Sequence, residues 1–333
     1  MNKERIDALR RRSFLIVVLL ALVLVTGCTG GRPAKVDANN GITITEFVAS
    51  PTQALDGDFV LLEVEFENTG GTTARNVQVD LFGVEGQWRD SFGNLITSTL
   101  TQTFGTLRRP IPERNIPGDF RLAHFNIMTK DMPEGIAPVL PIEARVTYDY
   151  NTSGHLQLFA MSEGEYRRKN SLGEPFPTAE IINSAGPIKL DLEERYRNPT
   201  IINPASQGDP VQIIPIKIIF TNVGNGFPIT ETNGQIAGLG GAGGRLTGTI
   251  ELFAPAGIEF DNCLGTVGGN LINLDTTQIP LQLRESGTVP VACTLKVNKA
   301  IWGDRPIDTI QMVFNIFYTY YTYGRVNVQV VGQ

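Results

Sequence analysis

The stretch VTYDYNTSGHLQL, residues 146–158, decides the architecture, because it aligns without a gap to IFYTYYTYGRVNV, residues 316–328. Tyr148, Tyr150, Thr152 and Gly154 fall on Tyr318, Tyr320, Thr322 and Gly324, each pair 170 residues apart. Self-similarity at a fixed separation is the mark of a repeated structural unit, and it predicts that this chain carries one unit twice.

Alternation identifies the element. In IEARVTYDY, Ile142, Ala144, Val146, Tyr148 and Tyr150 share one side, while Glu143, Arg145, Thr147 and Asp149 share the other. Period two is the signature of a half-buried strand, apolar inward and polar outward. Asn151–Gly154 reads as a turn before the apolar positions resume at Leu156 and Leu158, which predicts a hairpin. In the second copy Phe317, Tyr321 and Tyr323 stand on the side that the first copy gives to Thr147, Asn151 and Ser153. Bland explanations are packing against the first copy or cover from an insertion. An exposed aromatic contact face for a partner or ligand is the functional one.

The repeat extends outward. Phe66-Glu67-Asn68 matches Phe220-Thr221-Asn222, each followed by a Gly-containing turn, and Val79-Asp80-Leu81-Phe82 matches Ile250-Glu251-Leu252-Phe253. The separations, 154 and 171 residues, place a 17-residue insertion in the second copy within the Gly-rich stretch 226–247. Many short apolar runs with Gly and Pro between them, and no long helical period, predict an all-β protein of two tandem β-sandwiches. The expected boundaries are residues 41–162, a linker over 163–186, and 187–333.

Val64-x-Phe66-x-Asn68-x-Gly70 followed by Ala74-x-x-Val77-x-Val79-x-Leu81 resembles the pattern of CARDB-like domains, immunoglobulin-like sandwiches of prokaryotic surface proteins, including archaeal ones. The match covers about a third of the first copy, and the second keeps only its Asn and Gly. The resemblance implies an immunoglobulin-like fold, a role in adhesion, spacing or assembly, and no catalytic residues to carry over.

The first residues read as an address. MNKERIDALRRR is a basic leader, and FLIVVLLALVLV (14–25) is an apolar core of twelve residues. At about 1.5 Å per residue it is too short for a hydrocarbon layer of about 30 Å, but it suits a signal peptide over residues 1–27. Val25-Thr26-Gly27-Cys28 resembles the lipobox of prokaryotic lipoproteins, which implies a diacylglycerol on Cys28 as the mature N-terminus and a durable membrane anchor. The other reading is an uncleaved helix with an incidental cysteine. Arg11-Arg12-Ser13-Phe14-Leu15 also resembles a twin-arginine export signal, so the route stays open. Residues 28–40 read as a tether.

Without that leader the chain holds 23 basic and 32 acidic residues, a net charge of −9. Phosphate contacts need clustered Lys and Arg, so nucleic acid is not an expected partner. Envelope proteins or surface glycans are. Gly238–Gly243 matches G-x-G-x-x-G in letters, but the following segment is β-like, so it reads as a loop and not a dinucleotide site. No nucleophile–base–orienter constellation is visible, which points to a non-catalytic protein with no cofactor. Asp56-Gly57-Asp58 reads as a turn, with a calcium site as the alternative.

With Cys28 assigned to lipid, Cys263 and Cys293 remain. Pairing is the simplest outcome in an exported protein, and two buried free thiols the other. A metal site is not expected there, since zinc would need two further ligands and neither His124 nor His155 is near in sequence. Asn151-Thr152-Ser153 is a glycosylation sequon, expected at the hairpin tip where a glycan would face solvent.

Overall fold

The computed structural model describes residues 34–206, 208–232, 235–236, 243–276, 281–283, 287–303 and 305–333. The signal peptide, Cys28 and most of the Gly-rich motif at 238–243 lie outside the described residues. The N-terminal half contains β1 (Ile42–Ser50), β2 (Gln53–Leu55), β3 (Phe59–Asn68), β4 (Ala74–Phe82), β5 (Trp88–Arg89), β6 (Leu100–Leu107), β7 (Phe120–Thr129) and β8 (Val139–Ser162). After helix α1 (Glu163–Leu172) come β9 (Glu180–Asn183), β10 (Ile188–Leu192), β11 (Thr200–Ile202), β12 (Val211–Asn222), β13 (Phe227–Ile229), β14 (Glu231–Thr232), β15 (Gln235–Ile236), β16 (Gly244–Arg245) and β17 (Thr247–Phe253). The chain closes with β18 (Ile258–Cys263), β19 (Thr266–Val267), β20 (Leu271–Asn273), β21 (Gln282–Leu283), β22 (Thr288–Asn298), the short helix α2 (Lys299–Trp302) and β23 (Ile307–Val331).

The all-β expectation holds, and the copies correspond strand for strand. A four-stranded sheet ordered β1-β3-β7-β5 is matched by a five-stranded one ordered β10-β12-β22-β18-β19. Each faces part of a single ten-stranded sheet whose spine runs β20-β17-β23-β8-β4-β6. Alternation drives this layering. In β3, Val60, Leu62, Val64 and Phe66 are fully buried while Glu63, Glu65 and Glu67 point out. In β12, Ile214, Ile216, Ile218 and Phe220 do the same. Burying each such side chain contributes about 1.5–3 kcal/mol.

The joint between the copies departs from a tandem arrangement. The repeated strands β8 and β23 are not hairpins. They pair with each other, antiparallel, from Ile307↔Met161 to Gln329↔Val139. The register relates the halves by a local two-fold axis through the pair Asp149↔Thr319, with Tyr150 opposite Tyr318 and Tyr148 opposite Tyr320. Each long strand therefore serves both halves. The first part of β8 pairs with β4, and its last residues take β11 of the other half in parallel. Reciprocally, β23 begins against β17 and ends with β2 of the N-terminal half in parallel.

The turn expected at Asn151–Gly154 is corrected by this pairing. Gly154 continues the strand opposite Phe314, and Gly324 lies opposite Ala144. A Cβ at either place would meet only ordinary contacts, 3.6 Å from Ile44 and Phe47 of β1 at Gly324 and 3.7 Å from Leu190 of β10 at Gly154. The stretch 163–186 likewise departs from a plain linker. It holds α1, capped by the Ser162 hydroxyl accepting from the Glu165 amide, and β9, which pairs with β8.

The Asn-x-Gly motif has one explanation in both copies. Asn68 Nδ2 donates to the carbonyls of Thr72 and Leu107, and its Oδ1 accepts from the Gly70 amide. The Thr72 amide donates to the Tyr150 hydroxyl at 3.0 Å. In the second copy Asn222 Nδ2 donates to the Gly226 carbonyl and Oδ1 accepts from Gly224, while the Gly226 amide donates to the Tyr320 hydroxyl at 3.0 Å. A Cβ on Gly70 or Gly224 would collide with the hydroxyl of Tyr150 or Tyr320. Asparagine closes the turn, tyrosine latches it, and glycine leaves space for the latch.

Sequence matching of the Val79–Phe82 and Ile250–Phe253 strands is off by two residues in space. Leu81 lies opposite Ala144, whereas the residue opposite Phe314, the counterpart of Ala144, is Ile250. A slip of two keeps every side chain on its own side, so alternation alone does not reveal it.

Residues 37–40, expected as tether, belong to the body. The Asp37 amide donates to Thr69 O, Ala38 O accepts from Gly186, and Asn40 Oδ1 accepts from the Asn225 amide. This segment lies between the two Asn-x-Gly turns, on the inner side of the central sheet.

Candidate functional site

The two sides of the central sheet differ at the local two-fold axis. Inward, Tyr148, Tyr150, Tyr318 and Tyr320 form a four-ring cluster with neighbouring centroids 5.7–6.2 Å apart. Tilted and edge-on ring pairs of this kind add about 0.5–1.5 kcal/mol each beyond burial. Burial pushes all four phenols above their ordinary range, most strongly Tyr148 and Tyr318. The Tyr318 hydroxyl meets Thr152 Oγ1 at 2.7 Å. These rings pack the two halves against each other, each at most 4% exposed.

Outward, the axis opens into a cleft of about 670 Å³ lined by residues of both halves. Its floor is the stretch of sheet between Asp149 and Asn151 on β8 and between Phe317 and Thr319 on β23. The cleft exists because the flanking strands separate there. On one flank β4 reaches Arg75↔Asp149 and then bulges before Gln78, with Asn76 in the left-handed region at φ 50°. On the other, β17 stops at Thr247↔Phe317 and β13 at Ile229↔Thr319.

Polar groups converge on that floor. Thr319 Oγ1 donates to Asp149 Oδ1 at 2.8 Å, and Asn76 Nδ2 donates to Asp149 Oδ2 at 2.6 Å, so both carboxylate oxygens are engaged. Arg245 on the opposite wall donates from Nη2 to the Asp275 carbonyl at 2.9 Å, which orients its guanidinium. Arg75 is exposed and makes no ion pair or hydrogen bond among the described residues. Thr73, Thr230 and Thr247 complete the rim.

The expected aromatic face divides. Phe317 is 50% exposed and lines the cleft. Tyr321 is a correction: only 5% exposed, it pairs with Phe227, whose ring lies 5.5 Å away, and the Arg145 guanidinium sits 5.3 Å from its own ring. Tyr323, 40% exposed, stacks on Phe227 at 6.1 Å outside the cleft. Cover therefore comes from the segment that begins the 226–247 insertion. Arg145 itself is buried, bonded to Glu143 Oε1 at 2.6 Å and set over Phe82. Glu143 also holds Arg325.

Asn151 is likewise displaced from its expected place. It sits mid-strand opposite Phe317 and lines the cleft, with the Thr152 hydroxyl taken by Tyr318. Cys263 and Cys293 lie directly opposite on β18 and β22 and form a disulfide, Cα atoms 4.3 Å apart. Asp58 Oδ2 accepts from the Leu55 amide, as the turn reading of 56–58 requires. Among the described residues no group of three or more His, Cys, Asp or Glu is placed to hold a metal, and no helix is long and apolar enough to cross a membrane.

Sequence reasoning missed Arg75, Asn76, Asp149, Arg245 and Thr319 as a group. Asp149 and Thr319 were legible as polar positions aligned with one another. What would have joined them is the pairing of the two repeated strands with each other.

No protein-family model matches this chain, and no curated protein matches it. Among solved structures, it is similar at 9% identity to the C-terminal globular domain of an oligosaccharyltransferase from Pyrococcus abyssi, covering 88% of this chain and 50% of that one, with a TM-score of 0.24. It is similar at 8% to the MSCRAMM ACE of Enterococcus faecalis, covering 90% and 98%, with a TM-score of 0.20. An alkylpurine DNA glycosylase of Pseudomonas fluorescens matches at 13% over 32% of this chain and 27% of that one, with a TM-score of 0.21. The chain thus spans about a quarter to a half of the first structures it matches, the glycosylase and the oligosaccharyltransferase domain. At such TM-scores none carries an argument.

Proposed function

We propose that this protein is exported, tethered to a membrane through a lipid on Cys28, and serves a structural, adhesive or protein-interaction role at the cell envelope without catalysing a reaction. In this reading its two sandwiches are immunoglobulin-like. The observation that supports the proposal is the strand exchange at the two-fold axis, which joins the two halves through one continuous sheet. A body of joined sheets suits display and contact at a surface. The Cys263–Cys293 disulfide is compatible with an oxidising, extracytoplasmic compartment.

Residues 37–40 join the body, and five residues separate Cys28 from Ala34. A lipid on Cys28 would therefore keep the body within a few nanometres of the membrane, at no more than about 3.5 Å per residue. Replacing Cys28 with Ser tests the anchor: lipid labelling should vanish and the protein should leave the membrane fraction. A variant that stays labelled rules the anchor out.

A second reading is favoured by the cleft: a surface module that binds a glycan. An exposed ring beside polar side chains is the ordinary composition of a small-ligand site. A glycan array probed with the full chain tests it, and absence of binding across the array removes it.

A further inference from the structure

The cleft on the two-fold axis has a bias of charge that narrows its ligand. We infer that it takes a sugar bearing an anionic group, with Arg75 and Arg245 holding the anion and Phe317 supporting the sugar ring. This rests on the glycan reading and sharpens it.

Asp149 is the one carboxylate in the lining, and both its oxygens already accept hydrogen bonds, from Thr319 and Asn76. About half of its four acceptor positions are thereby taken, which weakens it as an acceptor for ligand hydroxyls. The larger unspent capacity is in donors. Arg75 is uncommitted among the described residues, and Arg245 is held at Nη2 by a carbonyl, which satisfies one donor and leaves its charge without a carboxylate partner among the described residues. Two guanidinium groups against one carboxylate leave the cleft with an excess of positive charge, in a chain whose remainder is acidic. Guanidinium forks match carboxylate and sulfate oxygens geometrically, often in pairs of bonds.

Phe317 adds the second half. It stands on the floor opposite Asn151, flanked by Thr247, with its ring half exposed. The face of a phenyl ring is electron-rich, and the C–H face of a pyranose is apolar and weakly positive, so the two stack. An inorganic anion would use the arginines and leave this ring bare. The volume, about 670 Å³, lies within the range of small-molecule sites, roughly 300–1,000 Å³, and exceeds the needs of a bare anion.

The experiment is calorimetric titration of the full-length protein in detergent with tetragalacturonate, a heparin tetrasaccharide, cellotetraose and inorganic sulfate. Saturable binding of a charged sugar is expected, weakening about tenfold or more in R75Q, R245Q and F317A, with Y323A unchanged as the control outside the cleft. Melting temperatures of the variants separate lost binding from lost folding, and R75Q alters an exposed side chain. The two charged sugars distinguish a carboxylate from a sulfate ligand. Cellotetraose binding as tightly as either would overturn the anionic inference while leaving the glycan reading intact. Sulfate competing fully, with F317A unaffected, would overturn the role of the ring. No binding of either charged sugar overturns the inference, and the array then decides the broader reading.

Discussion

Thr319 donates its hydroxyl hydrogen to the carboxylate of Asp149 across 2.8 Å, at the point where the two-fold axis crosses the central sheet. The two residues are 170 apart in sequence and occupy equivalent places in the two copies, so the symmetry of the fold is broken at its centre by one polar pair. Removing the donor with T319V should cost about 1–2 kcal/mol, because a half-buried carboxylate loses one of two partners. T319S should restore most of it. Urea denaturation of the three proteins measures this; equal midpoints would show that the bond adds nothing.

Strand exchange predicts that the halves unfold together. The two tryptophans report on them separately: Trp88 is buried in the N-terminal half and Trp302 in the C-terminal half. Fluorescence of W88F and W302F should show transitions at one denaturant concentration, once each substitution's own effect is subtracted. Two separated transitions would mean that the β8–β23 ladder does not couple the sandwiches.

The Gly224 turn should tolerate no side chain. A Cβ there would meet the Tyr320 hydroxyl and Pro187 Cβ, each at 2.6 Å. G224A should therefore destabilise by about 2–4 kcal/mol. Y320F removes one of the obstacles, so the double variant should lose less than the two single losses added together. Strict additivity in a thermal-melt cycle would refute the latch.

Reduction of Cys263–Cys293 releases a loop with a sequence separation of 30 residues, worth roughly 3–4 kcal/mol by the chain-entropy model. Reducing agent should lower the unfolding midpoint accordingly. C263A/C293A should show the same midpoint with and without reductant.

Alkali should act through the tyrosine cluster. Tyr148, Tyr150, Tyr318 and Tyr320 are held above the ordinary phenol value of 10.0 by burial, so the folded state keeps them neutral where the unfolded chain would lose protons. Their contribution is complete below about pH 10 and declines as pH rises beyond it, because ionisation then favours the unfolded chain. Tyrosinate absorbance should show these four of the eight tyrosines ionising only with unfolding. Ionisation of all eight in the folded protein would contradict the burial.

Local sequence determined the strands, most of their inward and outward sides and the doubled unit, because period-two alternation and turn chemistry act over a few residues. It also marked Phe317 as an aromatic where the sister strand carries Thr147. Tertiary structure alone decided three things. Gly154 read as a turn signal by composition, but it continues a strand because β8 pairs with β23 along nearly its whole length. Tyr321 and Phe317 looked alike as outward aromatics, and only the return of Phe227 buried one and left the other open. The cleft itself depends on Asp149 meeting Thr319, and on Arg75 and Arg245 arriving from flanking segments that part beside them. Residues so far apart in sequence converge only when each repeated strand takes the other as its neighbour, and no local pattern carries that choice of partner.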